Sequence, residues 1–164
     1  MAEFTANPQR RDPYKNFKFR VSWDGKFVAS LSKMSAVKRT TEAIEWREAG
    51  GSSIVRKMPG RTKSEPVTLE HGLTHDTQFQ DWALQVSNPA GDAAISLKNY
   101  RKEVTIEVLN EQGAPAIRFT LHRAWASEFQ ASPEMDGNAN AVAIQMLKLE
   151  YEGFEYESIE PTET

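Results

Sequence analysis

Phe79, Trp82, Ala83 and Val86 fall at i, i+3, i+4 and i+7, so at 3.6 residues per turn they line one face of a helix over Asp76–Val86. That face must bury against something. The rest of the chain offers mostly strands, so the partner is a sheet, and a single helix can cover only one of a sheet's two faces. A basic, glycine-bearing stretch, RKMPGRTKSEP (Arg56 to Pro66), and a short strand, VTLEH (Val67 to His71), lead into the helix. The pattern predicts a mainly β, α+β fold of antiparallel sheets, a sandwich or barrel with one flanking amphipathic helix, whose uncovered sheet face is polar.

Two hairpins are legible. Phe17, Phe19, Val21 and Trp23 alternate with polar residues up to Asp24-Gly25, and Phe27, Ala29 and Leu31 resume the alternation. Asp-Gly accepts the positive φ angles of a type I′ turn, which joins two antiparallel strands. Val104, Ile106 and Val108 form one strand of the second hairpin; Ile117, Phe119 and Leu121 form the other, with the turn at Asn110 to Gly113. A less regular extended run spans Lys38 to Arg47. The final strand, Asn140 to Tyr151, carries Val142 and Ile144 in one parity but Leu147, Leu149 and Tyr151 in the other, which a bulge near Met146 would reconcile.

Glu48 to Pro66 reads as a long exposed excursion holding Arg56, Lys57, Arg61 and Lys63. Loops of that length are usually functional or disordered, and Ile54, Val55 and Met58 inside it point to a partner surface.

The chain's 164 residues suit one domain, with polar ends expected to be mobile: an arm over residues 1–14 and an acidic tail over 155–164. Without cysteine there is no disulfide, thiolate nucleophile or cysteine metal site. A net charge of −3 singles out no nucleic-acid partner. No apolar h-region follows the first residues and no apolar run is long enough for a membrane span, so neither export by a cleaved signal nor a membrane partner is expected.

Catalytic readings find no site. His71 and His75 have zinc spacing only if one helix holds both, and Gly72 separates them from the helix start. DGNAN (Asp136 to Asn140) imitates the opening of a calcium loop but has Ala141 where the sixth residue should be Gly and Leu147 where the twelfth should be Glu, so it reads as an Asx-rich turn. No phosphate-cradling glycine loop occurs, and His122 alternates with apolar strand residues without triad partners. No cofactor, metal or enzymatic activity is expected.

DPYKNFKFRVSWDGKFVASLSKMSAVKRT, KMPGRTKSEPVTLEHGLTHDTQFQDW and NANAVAIQMLKLEYEGFE, in that order, resemble the tail-tube proteins of contractile-tailed phages and phage-like injection systems, which are related in architecture to the Hcp ring protein of type VI secretion. The likeness runs from about Asp12 to Glu155 and is densest over Pro59 to Asp76 and Asn140 to Gln145. It implies a structural, non-catalytic subunit of hexameric rings that stack into a hollow tube. Its partners would be itself, a sheath protein, baseplate and tail-terminator proteins, and DNA or protein cargo in the lumen. Assembly would occur in a bacterial cytoplasm, and the product would be part of a virion tail or an injection particle. The resemblance further implies that the excursion, with Ile54, Arg56, Lys57, Met58 and Arg61, reaches the next ring. Strand parity then gives Val67 and Leu69 to a core with Phe79, Trp82 and Val86, while Thr68, Glu70, Lys148 and Glu150 line the lumen. The competing readings are a monomeric ligand-binding β-barrel, which would want an apolar interior, and a hydrolase acting through carboxylates.

Overall fold

A computed structural model describes residues 18–28, 31–51, 53–91, 93, 98–138 and 140–159. The expected N-terminal arm, and Phe17 and Ala29 of the first alternating run, lie outside these. Ten strands and one helix follow in the order β1 (Phe19–Trp23), β2 (Lys26–Phe27), β3 (Leu31–Met34), β4 (Arg39–Trp46), β5 (Arg56–Ser64), β6 (Val67–Gly72), α1 (Gln78–Val86), β7 (Lys102–Leu109), β8 (Pro115–Gln130), β9 (Ile144–Glu150) and β10 (Gly153–Ser158). Every pairing is antiparallel.

The main sheet runs β2-β1-β7-β8-β9-β6-β3, with β10 also paired to β8; β4 and β5 form a separate two-stranded ribbon. The first and last strands of the main path, β2 and β3, are consecutive in the chain. Phe27 and Leu31 are four residues apart and reach at most about 14 Å, whereas six strand spacings across a flat sheet cover about 29 Å. The sheet must therefore curl. One place where it bends is β8, whose first half pairs with β7 and β10 and whose second half pairs with β9. Between the halves Arg123 takes φ +50°, and an extra residue, Ser127, shifts the register against β9.

The concave side is filled. Val21, Val67, Leu69, Val104, Ile106, Leu121, Leu147 and Leu149 are fully buried in one cluster. Phe79 and Trp82 of α1 complete it, with their rings 6.1 and 4.8 Å from that of Trp23, and Phe79 4.1 Å from His71. Trp82 Nε1–H donates to the Tyr100 carbonyl at 2.8 Å, so the indole is buried without orphaning its donor. An interior packed with side chains is not the ligand chamber of a monomeric barrel.

The turns of both expected hairpins form, although the strand returning along β1 is only Lys26–Phe27, and Leu31 belongs to β3, which pairs with β6. Asp24 and Gly25 take φ of +53° and +73°, the pair of positive angles a type I′ turn needs. At the second turn Asn110 Oδ1 accepts the N–H groups of Gln112 and Ala114. Four expectations need correction. The helix starts at Gln78, where Asp76 Oδ1 accepts the Gln78 N–H, rather than at Asp76. The last strand starts at Ile144: its register with β6 is unbroken through Met146, the bulge falls on β8 instead, and Val142 lies outside the strand. The start of the acidic tail, Glu155 to Ser158, is an edge strand, held by pairing to β8 and by Tyr156 packing edge-on against Phe119 at 5.3 Å. About half of the Glu48–Pro66 excursion, Arg56–Ser64, is strand β5 rather than loop.

Candidate assembly surfaces

The β4–β5 ribbon is the first surface. Arg39↔Ser64 and Trp46↔Arg56 mark the two ends of its register, and Thr41 and Thr62 share a hydroxyl hydrogen bond of 2.9 Å near its base. Pro59 and Gly60 sit where the register slips, which is where a strand tolerates a missing N–H and a missing side chain. Gly60 is also required by space: a Cβ there would lie 2.9 Å from Ile44 Cγ1 and 3.2 Å from the Glu42 carbonyl. Every residue of β4 is exposed, including Ile44 at 49% and Trp46 at 45%, and Ile54 and Met58 follow at 75% and 45%. Apolar side chains standing this far into water on a ribbon outside the main sheet form a patch of the kind that contact surfaces present.

The ribbon's base, by contrast, is tied down. Glu65 N–H donates to the Lys38 carbonyl at 2.8 Å, the Tyr151 hydroxyl lies 3.5 Å from the same oxygen, and Val37 packs on the core. Burial raises the Tyr151 pKa above its ordinary value. Of the residues expected in the excursion, Ile54 precedes β5, and Arg56, Lys57, Met58 and Arg61 lie on it.

The second surface is the sheet face turned away from the core. Val67 and Leu69 are buried while Thr68 and Glu70 alternate with them, and Leu147 and Leu149 alternate likewise with Lys148 and Glu150. Thr68 pairs directly with Lys148, and the next strand brings Glu128 opposite Lys148. Lys33 pairs with Glu70, and Trp125 with Glu150. The face is therefore a polar lattice with both signs of charge. The structure brings the four expected residues together and adds Lys33, Trp125 and Glu128, which parity on β6 and β9 alone could not reveal.

A third feature escaped the sequence altogether. Arg20, Glu107, Arg118 and Glu157 stand side by side on β1, β7, β8 and β10, a row of alternating charge across four strands. Arg20 bonds Glu107 Oε2 through Nη2 at 2.9 Å and Nε at 3.3 Å, and Glu107 is nearly buried. Arg118 lies 3.7 Å from Glu157. Two rows further along β8, His122 sits between Glu103 at 2.8 Å and Glu155 at 3.4 Å. Cross-strand charge pairs of this kind fix register, and here they fasten the C-terminal strand.

The helix side differs from expectation at one residue. Phe79 and Trp82 reach the core with Val67 and Leu69, but Val86 does not: it is half-buried and lines an open groove of about 290 Å³ between α1 and β8, with Ala83, Leu84, Ala126 and Phe129. The helix leaves the sheet by its last turn.

His71 is fully buried in β6 with Nε2 2.8 Å from Gln145 Oε1, while His75 is exposed before α1, so the pair shares no ligand geometry. Among the described residues no group of three potential metal ligands converges. Asp136 Oδ1 accepts the Asn138 N–H, giving the Asx turn expected of DGNAN. No helix among the described residues is long and apolar enough to cross a membrane.

The same fold occurs in solved structures. A chain of the anti-feeding prophage baseplate superposes with a TM-score of 0.77 at 20% identity, covering 91% of this chain and 98% of that one. A chain of the PVC sheath–tube complex, an extracellular contractile injection system in its extended state, gives 0.74 at 23% identity, covering 90% and 93%. Hcp1 from Flavobacterium johnsoniae gives 0.50 at 13% identity, covering 87% and 96%. No curated protein matches the chain in sequence. The T4-like virus tail tube protein gp19 family matches residues 15–155, which include β1 to β9 and the helix, and the chain belongs to that family.

Proposed function

We propose that this chain is the structural inner-tube subunit of a contractile tail or contractile injection particle, assembled in a bacterial cytoplasm, in which six copies close a ring and rings stack into a hollow conduit for DNA or protein. The observation that carries this reading, beside the family, is the ribbon. A monomeric protein gains nothing from eight consecutive exposed residues in β4 with Ile44 and Trp46 among them, whereas a stacking subunit needs a segment that leaves its own core and enters a neighbour. Ile54, Arg56, Lys57, Met58 and Arg61 are the residues we assign to that contact.

The lattice of Thr68, Glu70, Lys148 and Glu150 is assigned to the lumen wall. Water wets it, and interspersed charges of both signs offer no continuous patch to which a passing chain of one sign would adhere. A sheath protein outside, baseplate and terminator proteins at the two ends, and the absence of any catalytic role complete the proposal. Joining sheet edges round a ring would also cover edge strands such as β3 and β10.

The test is light scattering coupled to size exclusion, followed by negative-stain microscopy. Rings of six copies and tubes made from them are expected. Replacing Met58–Arg61 by Gly and Ser should preserve rings and abolish stacking. A strict monomer at high concentration refutes the ring, and unchanged tubes from the replaced ribbon refute its role.

A further inference from the structure

The ribbon and a second apolar patch lie at opposite ends of the same two strands. β6 pairs with β9 from Val67↔Leu149 to Gly72↔Ile144. The ribbon ends at Ser64 and leads into Val67, so it springs from the Val67 end. At the other end the chain leaves β6 through Leu73, whose N–H donates to the Ala143 carbonyl at 2.8 Å and so sits beside the segment that enters β9. Leu73 is 42% exposed and Val142, next to Ala143, is 78% exposed; Met135, on the same connection, is 64% exposed. These three apolar side chains stand largely or partly in water.

Charge distinguishes the two ends as well. Residues 39–64 hold six Lys and Arg against three Glu, a net charge of +3. Residues 73–77 and 131–143, the two connections that carry the patch, hold Asp76, Glu134 and Asp136 and neither Lys nor Arg. One end of the subunit is thus basic with apolar residues and the other acidic with apolar residues. A head-to-tail contact between them is heterologous and regenerates itself with each copy added, which is the requirement for open-ended growth.

Resting on the stacking role proposed above, we infer that the surface receiving the ribbon is the Leu73–Val142 end of the β6–β9 ladder in a second copy of this chain, with Met58 and the neighbouring basic residues of β5 set against Val142, Glu134 and Asp136. Subunits in successive rings then point the same way along the tube, and the polarity of the tube is written in the antiparallel pairing of β6 with β9.

The absence of cysteine makes the test direct. M58C/V142C is assembled, oxidised and run on a non-reducing gel. A ladder of covalent multimers that collapses to monomer on reduction is expected, while M58C and V142C alone stop at dimers or below. In parallel, E134K/D136K should keep six-copy rings by light scattering but lose tubes by microscopy, and K57E/R61E in the same chain should restore them. Wild-type protein that forms no rings overturns both this inference and the stacking reading. Tubes that form normally while M58C/V142C gives no ladder, or while L73S/V142S leaves tube number and length unchanged, overturn this inference alone and give the patch to some other partner.

Discussion

Trp82→Ala is the perturbation that most directly tests how the helix is held to the sheet. The side chain is 1% exposed and its ring sits 4.8 Å from that of Trp23. Truncating a buried aromatic costs about 3–5 kcal/mol in lost burial and cavity. The lost bond from Nε1–H to the Tyr100 carbonyl adds about 1 kcal/mol, because the acceptor is left in a partly buried site. Lys102 lies 5.8 Å over the same ring, but its ammonium keeps Asp24 as a partner, so no further loss is assigned to it. The sum, about 4–6 kcal/mol, approaches the whole stability of a marginal domain. Trp82→Phe keeps most of the packing and gives up the hydrogen bond and one ring, so it should cost about 1–2 kcal/mol. Urea unfolding followed by far-UV circular dichroism measures both, at protein concentrations below those at which rings form, since assembly adds apparent stability by mass action. A Trp82→Ala variant within about 1 kcal/mol of wild type would mean that the helix is not a structural part of the core. Equal losses for Ala and Phe would place the energy in the hydrogen bond and refute the packing argument.

Gly60→Val should distort the ribbon alone, because its Cβ meets Ile44 and the Glu42 carbonyl; unchanged urea unfolding with loss of tubes by microscopy is the expected pair of results. Arg20→Met leaves Glu107 nearly buried without its main partner and should destabilise by about 2 kcal/mol, less than a fully buried pair because Arg20 is partly exposed; Arg20→Met with Glu107→Leu should recover most of this in a double-mutant cycle. Tyr151 has its pKa raised by burial above the ordinary 10.0, so its contribution to stability is intact below that pH and is lost as pH climbs through the raised value. Absorbance titration should show one late tyrosine that Tyr151→Phe removes, and the variant should unfold at higher pH than wild type.

How much of this was legible in the sequence follows from which forces are local. The hairpin turns at Asp24-Gly25 and Asn110–Gly113 rest on φ angles and side-chain-to-backbone bonds inside a few residues, so their composition announces them. The core face of β6 and β9 follows from period-two alternation, and Val67, Leu69, Leu147 and Leu149 are buried as alternation requires. β5 was hidden because Pro59 and Gly60 look like loop residues; their effect is confined to a register slip that only the partner strand β4 makes tolerable. β10 was hidden because Glu155 and Glu157 look like a solvated tail until His122 and Arg118 are placed across from them. Val86 departs from its expected place for the opposite reason. Helical periodicity says which side a residue is on, not how far the sheet extends beneath it. The polar face was legible residue by residue and the pairing across it was not, since Lys33 meets Glu70 only past the extra residue Ser32, and Glu128 meets Lys148 only past the extra residue Ser127, two residues along β9 beyond the pairing of Trp125 with Glu150. Deleting Ser127 would remove the bulge and leave Ala126 opposite Leu149, Glu128 opposite Lys148 and Phe129 opposite Leu147, so the polar face keeps its pattern and only the local bend of β8 is lost. If that bend helps set the curl of the sheet, Ser127 deletion should leave a folded monomer whose rings are lost or altered in diameter, and rings of normal diameter from the deletion would refute that role for the bulge.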